Sequence, residues 1–272
     1  MTRHGELLDT ERHDRLCVSS SRNRPRILIK QYVCHGISSY SVIEAISLTA
    51  YLSLPIALIL PVSYSCGALS NMPGQQLEPL AVVGISVRFP GEAVSPESFW
   101  QLILSGRSTG KEIPPDRYGI DAWHHPDYSQ LDRVSQRKAN FLEGDIGQFD
   151  AGFFSISAAE AEAMDPQQRL ALETAYHALE NAGYPIESIT GSKMAVFTGA
   201  FSNDYQRLHA KDLMTLPKGH ATGTSMNMLA NRVSWFFNLR GPSSNVDTAC
   251  SSSLMALHLA CQSIWNGESS SV

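Results

Sequence analysis

Two spacings of apolar residues recur along residues 78–272, and each is typical of a different element. Short apolar runs at residues 80–86 and 194–199 predict buried strands, and residues 245–249 are expected to be extended. Apolar residues at helical spacing predict helices at residues 95–104, from Ser157 or Ala158 onward, and at 165–182, 226–237 and 251–265. Residues 105–150 show no sustained periodicity and are expected to form a long ordered loop. Alternating strands and helices favour an α/β layered fold.

Residues 1–77 follow a different pattern from the rest of the chain. They are first rich in Arg and Ser and then apolar, and residues 45–77 contain no charged side chain. The apolar part approaches the length of a membrane span, but Pro55 and Pro61 interrupt it and serines dilute it, so a membrane span is disfavoured.

Three interpretations of this segment stay open. It could be a membrane or targeting segment, upstream sequence translated from a wrong start with Met72 as the true start, or an extension of unexplained role. We therefore expect residues 1–77 to be an extension unrelated to the domain that occupies residues 78–272.

Composition narrows the classes of protein to be considered. With 272 residues, 43% of them hydrophobic, the chain can bury a sizeable core, and its net charge of -5 argues against a general nucleic-acid binder. Five cysteines is an odd number in a chain too long for a disulfide-stapled mini-domain. Reduced thiols and a cytoplasmic location are therefore expected.

The clearest candidate chemistry lies in residues 241–257. A short strand is followed by small residues, Cys250, three serines and an apolar helix. This order places Cys250 at a helix N-terminus, where unpaired N–H groups and the helix dipole favour a thiolate and can hold an oxyanion. Ala249 and Ser251 are small enough to let a long acyl chain approach the sulfur. A buried structural cysteine is the alternative interpretation.

Asp247 lies three positions before this cysteine. It could act as a general base, but a structural acid that accepts hydrogen bonds from backbone N–H groups of the turn is the favoured interpretation.

The segment Asp247–Ser253, with Gly241–Ser243 before it, resembles the active-site segment of the β-ketoacyl synthases. Further segments that match the family in order are 81–91, 113–117, 162–169, 179–183 and 230–232. Together they resemble the ketosynthase domain that opens an iterative type I polyketide synthase, of the reducing type common in filamentous fungi.

This resemblance implies a thiolase-like fold of two similar βαβαβ halves and, in the intact family, a homodimer. It also implies that Cys250 accepts an acyl group from a thioester and passes it to a carbanion made by decarboxylating a malonyl unit on an acyl carrier protein. No cofactor would be bound covalently, because the phosphopantetheine arm belongs to the partner carrier protein.

Family members also use two histidines that follow the cysteine. Here only His258 follows Cys250, and we expect it to be a packed helix residue. The segment His220–Thr224 imitates a family histidine motif but precedes Cys250 by 30 positions, so His220 is not expected to be catalytic. His124 and His125 have no third metal ligand at a convincing spacing, and Cys261 is expected in the core.

The sequence stops at Val272, shortly after the helix that follows Cys250. We therefore expect an incomplete N-terminal half of the thiolase-like fold that does not complete condensation and that, expressed alone, is insoluble or partly folded. The alternatives are a non-catalytic truncated product, a half-domain that folds with a partner, or a membrane-anchored acyl-binding fragment.

Overall fold

The computed structural model of the chain describes the backbone of residues 56–59 and all of residues 78–272. The strands in this part are β1 (Ile56–Ile59), β2 (Gly84–Val87), β3 (Lys111–Glu112), β4 (Lys138–Ala139), β5 (Val196–Gly199) and β6 (Ser243–Val246). The helices are α1 (Pro96–Ser105), α2 (Ala158–Ala163), α3 (Pro166–Asn181), α4 (Ile186–Ile189), α5 (Asp204–His209), α6 (His220–Thr224), α7 (Met228–Phe236) and α8 (Ser252–Trp265).

The starts of α1 and α3 follow directly from local sequence. Ser95 accepts a hydrogen bond from the Ser98 N–H at 3.1 Å and the Ser98 hydroxyl accepts one from the Ser95 N–H at 3.0 Å, which is a capping box. Asp165 caps α3 in a similar way by accepting from the Gln167 N–H at 2.8 Å. Each cap is followed by proline at the first helical position, where the missing N–H costs nothing. The predicted helices at these positions are confirmed.

The main core lies against one side of α3 and of α7. Its buried apolar side chains are Phe154, Ile156, Met164, Leu172, Ala178, Leu179, Ile189, Met194, Val233, Phe237 and Leu239. Close packing of β2 on α3 depends on Gly84, because a Cβ there would lie 2.3 Å from the Ala178 carbonyl oxygen. Burial of each large side chain contributes about 1.5–3 kcal/mol, so this cluster holds α3 and α7 against each other.

The parallel pair β5–β6 positions the Cys250 segment. Val196 pairs with Ser243 and Gly199 with Val246. After α8 the chain returns to the other edge of β5, where the Ala195 N–H donates to the Ser271 carbonyl at 2.8 Å. Met194 and Ser271 form an isolated parallel bridge at this point.

Several predicted boundaries differ from the structure. The run 80–86 becomes the shorter β2, and the extended segment predicted at 245–249 is β6, which ends at Val246 before a 3₁₀ turn at Ala249–Ser251. The predicted loop 105–150 contains the small antiparallel pair β3–β4.

The segment predicted as an unrelated extension contributes one described element. The backbone of β1 pairs antiparallel with β2, with Ile56 opposite Val87 and Ile59 opposite Gly84. The rest of residues 1–77 lies outside the described residues, so the prediction for that segment stays a prediction. Among the described helices, none combines the length and apolar character that a membrane crossing requires.

Candidate active site

Cys250 lies in the connection between β6 and α8. It is the middle residue of the 3₁₀ turn Ala249–Ser251, and it is exposed. This turn is followed directly by Ser252, the first residue of α8. The strand–turn–helix context predicted from sequence is therefore present. Since the side chain is accessible, a purely buried structural cysteine does not describe this position.

The residue before Cys250 has an unusual backbone. Ala249 has a φ of 55°, in the left-handed region that non-glycine residues rarely adopt. This conformation costs an L-residue about 1–2 kcal/mol, so neighbouring contacts must hold it. One such contact is the hydrogen bond that the Ala249 N–H donates to the Asp247 carboxylate at 3.1 Å.

Serine hydroxyls bind the backbone on both sides of Ala249. The Ser251 hydroxyl donates to the Thr248 carbonyl at 2.8 Å. The Ser252 hydroxyl accepts from the Thr248 N–H at 2.9 Å and donates to the Ala249 carbonyl at 2.6 Å. Sequence reasoning selected Ala249, Ser251 and Asp247 as support for the turn but missed Ser252, whose place two residues after Cys250 was the available signal.

The N-terminus of α8 offers donors beside the thiol. Its N-cap residue Ser251 makes no side-chain hydrogen bond to the first helical turn. The first N–H groups of a helix are unpaired within the helix, and together with the dipole they attract an anion. The arrangement can therefore stabilise negative charge that develops on an oxygen bound next to Cys250.

Gly199, at the end of β5, allows the first turn of α8 to approach the sheet. A Cβ at this position would lie 2.4 Å from the Ser253 nitrogen and 2.5 Å from the Ser252 carbonyl carbon. The neighbouring residue Thr198 ties the two strands together by donating a hydrogen bond to the Asn245 side chain at 2.9 Å. The pair Thr198–Gly199 also matches the family in sequence, but the sequence indicates no packing role for Gly199, because the contact joins residues that are more than 50 positions apart.

A buried arginine connects the helices behind the site. Arg232 is 5% exposed; its Nε donates to the Gln168 side chain at 2.6 Å and its guanidinium lies 2.7 Å from the Glu160 carboxylate. The preceding residue, Asn231, accepts a hydrogen bond from the Ser243 hydroxyl at 2.8 Å and so holds α7 to β6. The strand that leads to Cys250 is thereby anchored to α2, α3 and α7.

The histidines and the second cysteine lie in other surroundings. His258 is exposed on α8, so the expectation of a packed helix residue was wrong. His220 begins α6, and its Nδ1 lies 3.1 Å from that of His209. Cys261 is half-buried, and this burial raises the pKa of its thiol. Among residues 78–272, no group of three or more His, Cys, Asp or Glu side chains could hold a metal ion.

Known fungal proteins resemble this chain over its described domain. The highly reducing polyketide synthase alnA of Emericella nidulans is 47% identical over 209 residues, which are 77% of this chain and 8% of that protein. The highly reducing polyketide synthase cnsI of Penicillium expansum is 51% identical over 191 residues, 70% of this chain and 8% of that protein. The chain thus spans about a twelfth of the length of these relatives.

Solved structures share the same architecture. The oxazolomycin ketosynthase domain OzmH KS7 of Streptomyces albus is 38% identical, with a TM-score of 0.63, over 68% of this chain and 32% of that one. The ketosynthase from module 6 of the bacillaene synthase of Bacillus subtilis is 35% identical, with a TM-score of 0.58, over 68% of this chain and 29% of that one. These neighbours establish the thiolase-like α/β fold that the resemblance implied.

The family model for the N-terminal domain of β-ketoacyl synthases matches residues 77–272, a range that contains the strand–turn–helix unit around Cys250. The chain therefore belongs to the β-ketoacyl synthase family, whose polyketide synthase ketosynthases it resembles in sequence and in fold.

Proposed function

We propose that Cys250 is the acyl-accepting nucleophile of a polyketide-synthase ketosynthase. The observation that supports this most strongly is the exposed thiol in a constrained turn at the N-terminus of α8. A nucleophile needs access to its substrate, and the nearby helix N–H groups suit the oxyanion that forms when a thioester is attacked.

The first step would transfer an acyl group from a thioester to the enzyme. The Cys250 thiolate attacks the thioester carbonyl, a new S–C bond forms, and the tetrahedral oxyanion collapses with loss of the carrier thiolate. That thiolate takes up the proton that Cys250 gave up. The products are acyl-Cys250 and a free carrier thiol, and no oxidant or metal is consumed.

The second step in the family is condensation with a malonyl thioester. Decarboxylation releases CO₂ and leaves a carbanion, which attacks the acyl-Cys250 carbonyl; a C–C bond forms and the Cys250 thiolate departs. We assign the acyl-transfer step to Cys250 and no part in condensation to His258, which is exposed two helical turns further along α8.

The partner that fits this chemistry is an acyl carrier protein whose phosphopantetheine arm carries the acyl or malonyl thioester. We further propose that residues 78–272 are the N-terminal portion of the ketosynthase domain, that residues 1–77 are an extension to it, and that the domain pairs as a homodimer. A free, reactive Cys250 requires a reducing compartment, which fits the cytoplasm.

The test is acylation of the 272-residue chain by hexanoyl-N-acetylcysteamine, followed by peptide mapping with mass spectrometry. We expect a hexanoyl adduct on the peptide that contains Cys250, and its loss in Cys250→Ala. Cys261→Ala is the matched control, because that thiol lies on the same helix and should leave the adduct unchanged. An adduct that persists in Cys250→Ala, or that maps to another cysteine, would overturn the assignment.

A further inference from the structure

We propose that Ser252 is a positioning residue that holds Cys250 in its orientation for acyl transfer. The inference rests on the proposed function of Cys250 and extends it to a side chain that does not touch the substrate. Ser252 is 3% exposed, although its neighbours Ser251 and Ser253 in the same run of serines are exposed.

The Ser252 hydroxyl spans the residues that precede Cys250. It accepts from the Thr248 N–H at 2.9 Å and donates to the Ala249 carbonyl at 2.6 Å. These two backbone groups lie at opposite ends of the dipeptide Thr248–Ala249. One hydroxyl therefore fixes both ends of the segment whose second residue has a positive φ.

The contact to the Ala249 carbonyl matters most for Cys250. This carbonyl belongs to the planar peptide unit that joins Ala249 to Cys250. A hydrogen bond to its oxygen therefore fixes the orientation of that peptide plane, on which the direction of the Cys250 side chain depends. Without the hydroxyl, the Ala249 carbonyl keeps the hydrogen bond from the Ser252 N–H but loses the second one. Ala249 could then relax toward negative φ, and that rotation would reorient the Cys250 side chain.

The neighbouring serines do not provide the same support. Ser251 bonds to the carbonyl and hydroxyl of Thr248, both of which precede Ala249. Ser253 is exposed on the same turn of α8, which makes it a matched control for loss of one hydroxyl.

The first experiment compares two reactions of Cys250 in the 272-residue chain. Ser252→Ala should lower the rate of acylation by hexanoyl-N-acetylcysteamine about tenfold to a hundredfold, the loss expected when hydrogen bonds that orient a reacting group are removed. Alkylation by iodoacetamide, which needs access but no oxyanion donors, should change by less than about threefold. Ser253→Ala should leave both rates near those of the wild type.

A second comparison tests whether Ser252 acts through Ala249. Glycine adopts positive φ at little cost, so in an Ala249→Gly background the loss of the Ser252 hydroxyl should slow acylation by less than about threefold. If Ser252→Ala alone does not fold, Ala249→Gly can still be compared with the double variant Ala249→Gly, Ser252→Ala. Glycine relieves the strain at position 249 in both of these variants.

The outcomes separate the two proposals. If the wild-type chain is not acylated at Cys250, the proposed function fails and this inference fails with it. If the wild type is acylated and Ser252→Ala acylates equally fast, only the positioning role is overturned. An equal loss of acylation and alkylation, or an equally large effect with glycine at position 249, would reduce Ser252 to a purely structural role.

Discussion

Asp247 shows what a single side chain contributes to the turn that carries Cys250. Its carboxylate accepts the Ala249 N–H at 3.1 Å, two residues further along the chain. Such a hydrogen bond needs an oxygen acceptor but not a negative charge, whereas a general base needs a carboxylate that can take up a proton. The two roles considered for Asp247 can therefore be separated by substitution.

We predict that Asp247→Asn acylates within about threefold of the wild type, because the amide oxygen can still accept the Ala249 N–H. Asp247→Ala, which removes the acceptor, should lower the acylation rate about fivefold, as expected for a net contribution near 1 kcal/mol. The measurement is the rate of hexanoyl transfer to Cys250 by intact-protein mass spectrometry. A loss above about a hundredfold in both variants would instead assign Asp247 to proton transfer.

The backbone at Ala249 marks the limit of sequence prediction at this scale. The cysteine and its place between a strand and a helix were readable, because small residues, Cys250 and an apolar run follow one another. The positive φ was not, since alanine carries no preference for the left-handed region. The burial of Ser252 was not predictable either, because the sequence does not distinguish three successive serines and only tertiary packing buries one of them.

At the scale of helices and strands, prediction succeeded where the signals were local. Ser95 and Asp165, each followed by proline, fixed the starts of α1 and α3 to within a residue. Strand limits were less accurate, because pairing between distant segments decides where β2 and β6 begin and end. The same applies to Gly199, which looks like an ordinary strand residue until α8 packs on it.

We predict that Gly199→Ala displaces the first turn of α8, since the added Cβ would meet backbone atoms only 2.4–2.6 Å away and backbone cannot move aside cheaply. The displacement should reduce hexanoyl transfer to Cys250 at least about tenfold. Gly119→Ala is the control, because Gly119 has a φ of −75° and nothing lies within 4 Å of its Cβ position. Equal acylation rates in the two variants would contradict the role given to Gly199.

At the scale of the whole molecule, two carboxylates are withdrawn from solvent: that of Asp165 is buried and that of Glu173 is half-buried. Asp165 is 4% exposed, and burial raises its pKa although the Gln167 N–H opposes the shift. Burial also raises the pKa of Glu173, against the opposing effect of Arg88, whose guanidinium lies 3.1 Å away. In both cases the native protein holds the proton more tightly than the unfolded chain does.

We predict a pH-dependent stability from Asp165. A raised native pKa gives a stabilising contribution that is fully present below the unfolded value, about 3.9, and is lost as pH rises through the native value. Asp165→Asn keeps an acceptor for the helix cap but removes the titration. The free energy of unfolding of Asp165→Asn, measured with urea, should therefore increase relative to that of the wild type as pH rises from 4 to 7.

Gln167→Ala tests the same titration from the other direction. It removes the hydrogen bond that the Gln167 side chain donates to the Asp165 carboxylate at 3.3 Å, which opposes the rise in the Asp165 pKa, and it leaves the donating Gln167 N–H in place. Its free energy of unfolding should therefore fall relative to that of the wild type as pH rises. A difference between Asp165→Asn and the wild type that is constant from pH 4 to pH 7, or that shrinks as pH rises, would show that Asp165 does not titrate as proposed.

The last helix, α8, is also hydrogen-bonded to the first described residue of the domain. The Trp265 indole N–H donates to the Glu78 carbonyl at 2.9 Å, across 187 positions of sequence. At about 5–20 residues per second, a ribosome needs roughly 10–40 s to travel from one to the other. During that interval the segment that leads into β2 lacks this hydrogen bond, although β2 itself can already pair with β1 and pack on α3. Translation speed and chaperone binding over the stretch to Trp265 therefore govern how long the start of the domain is without this contact.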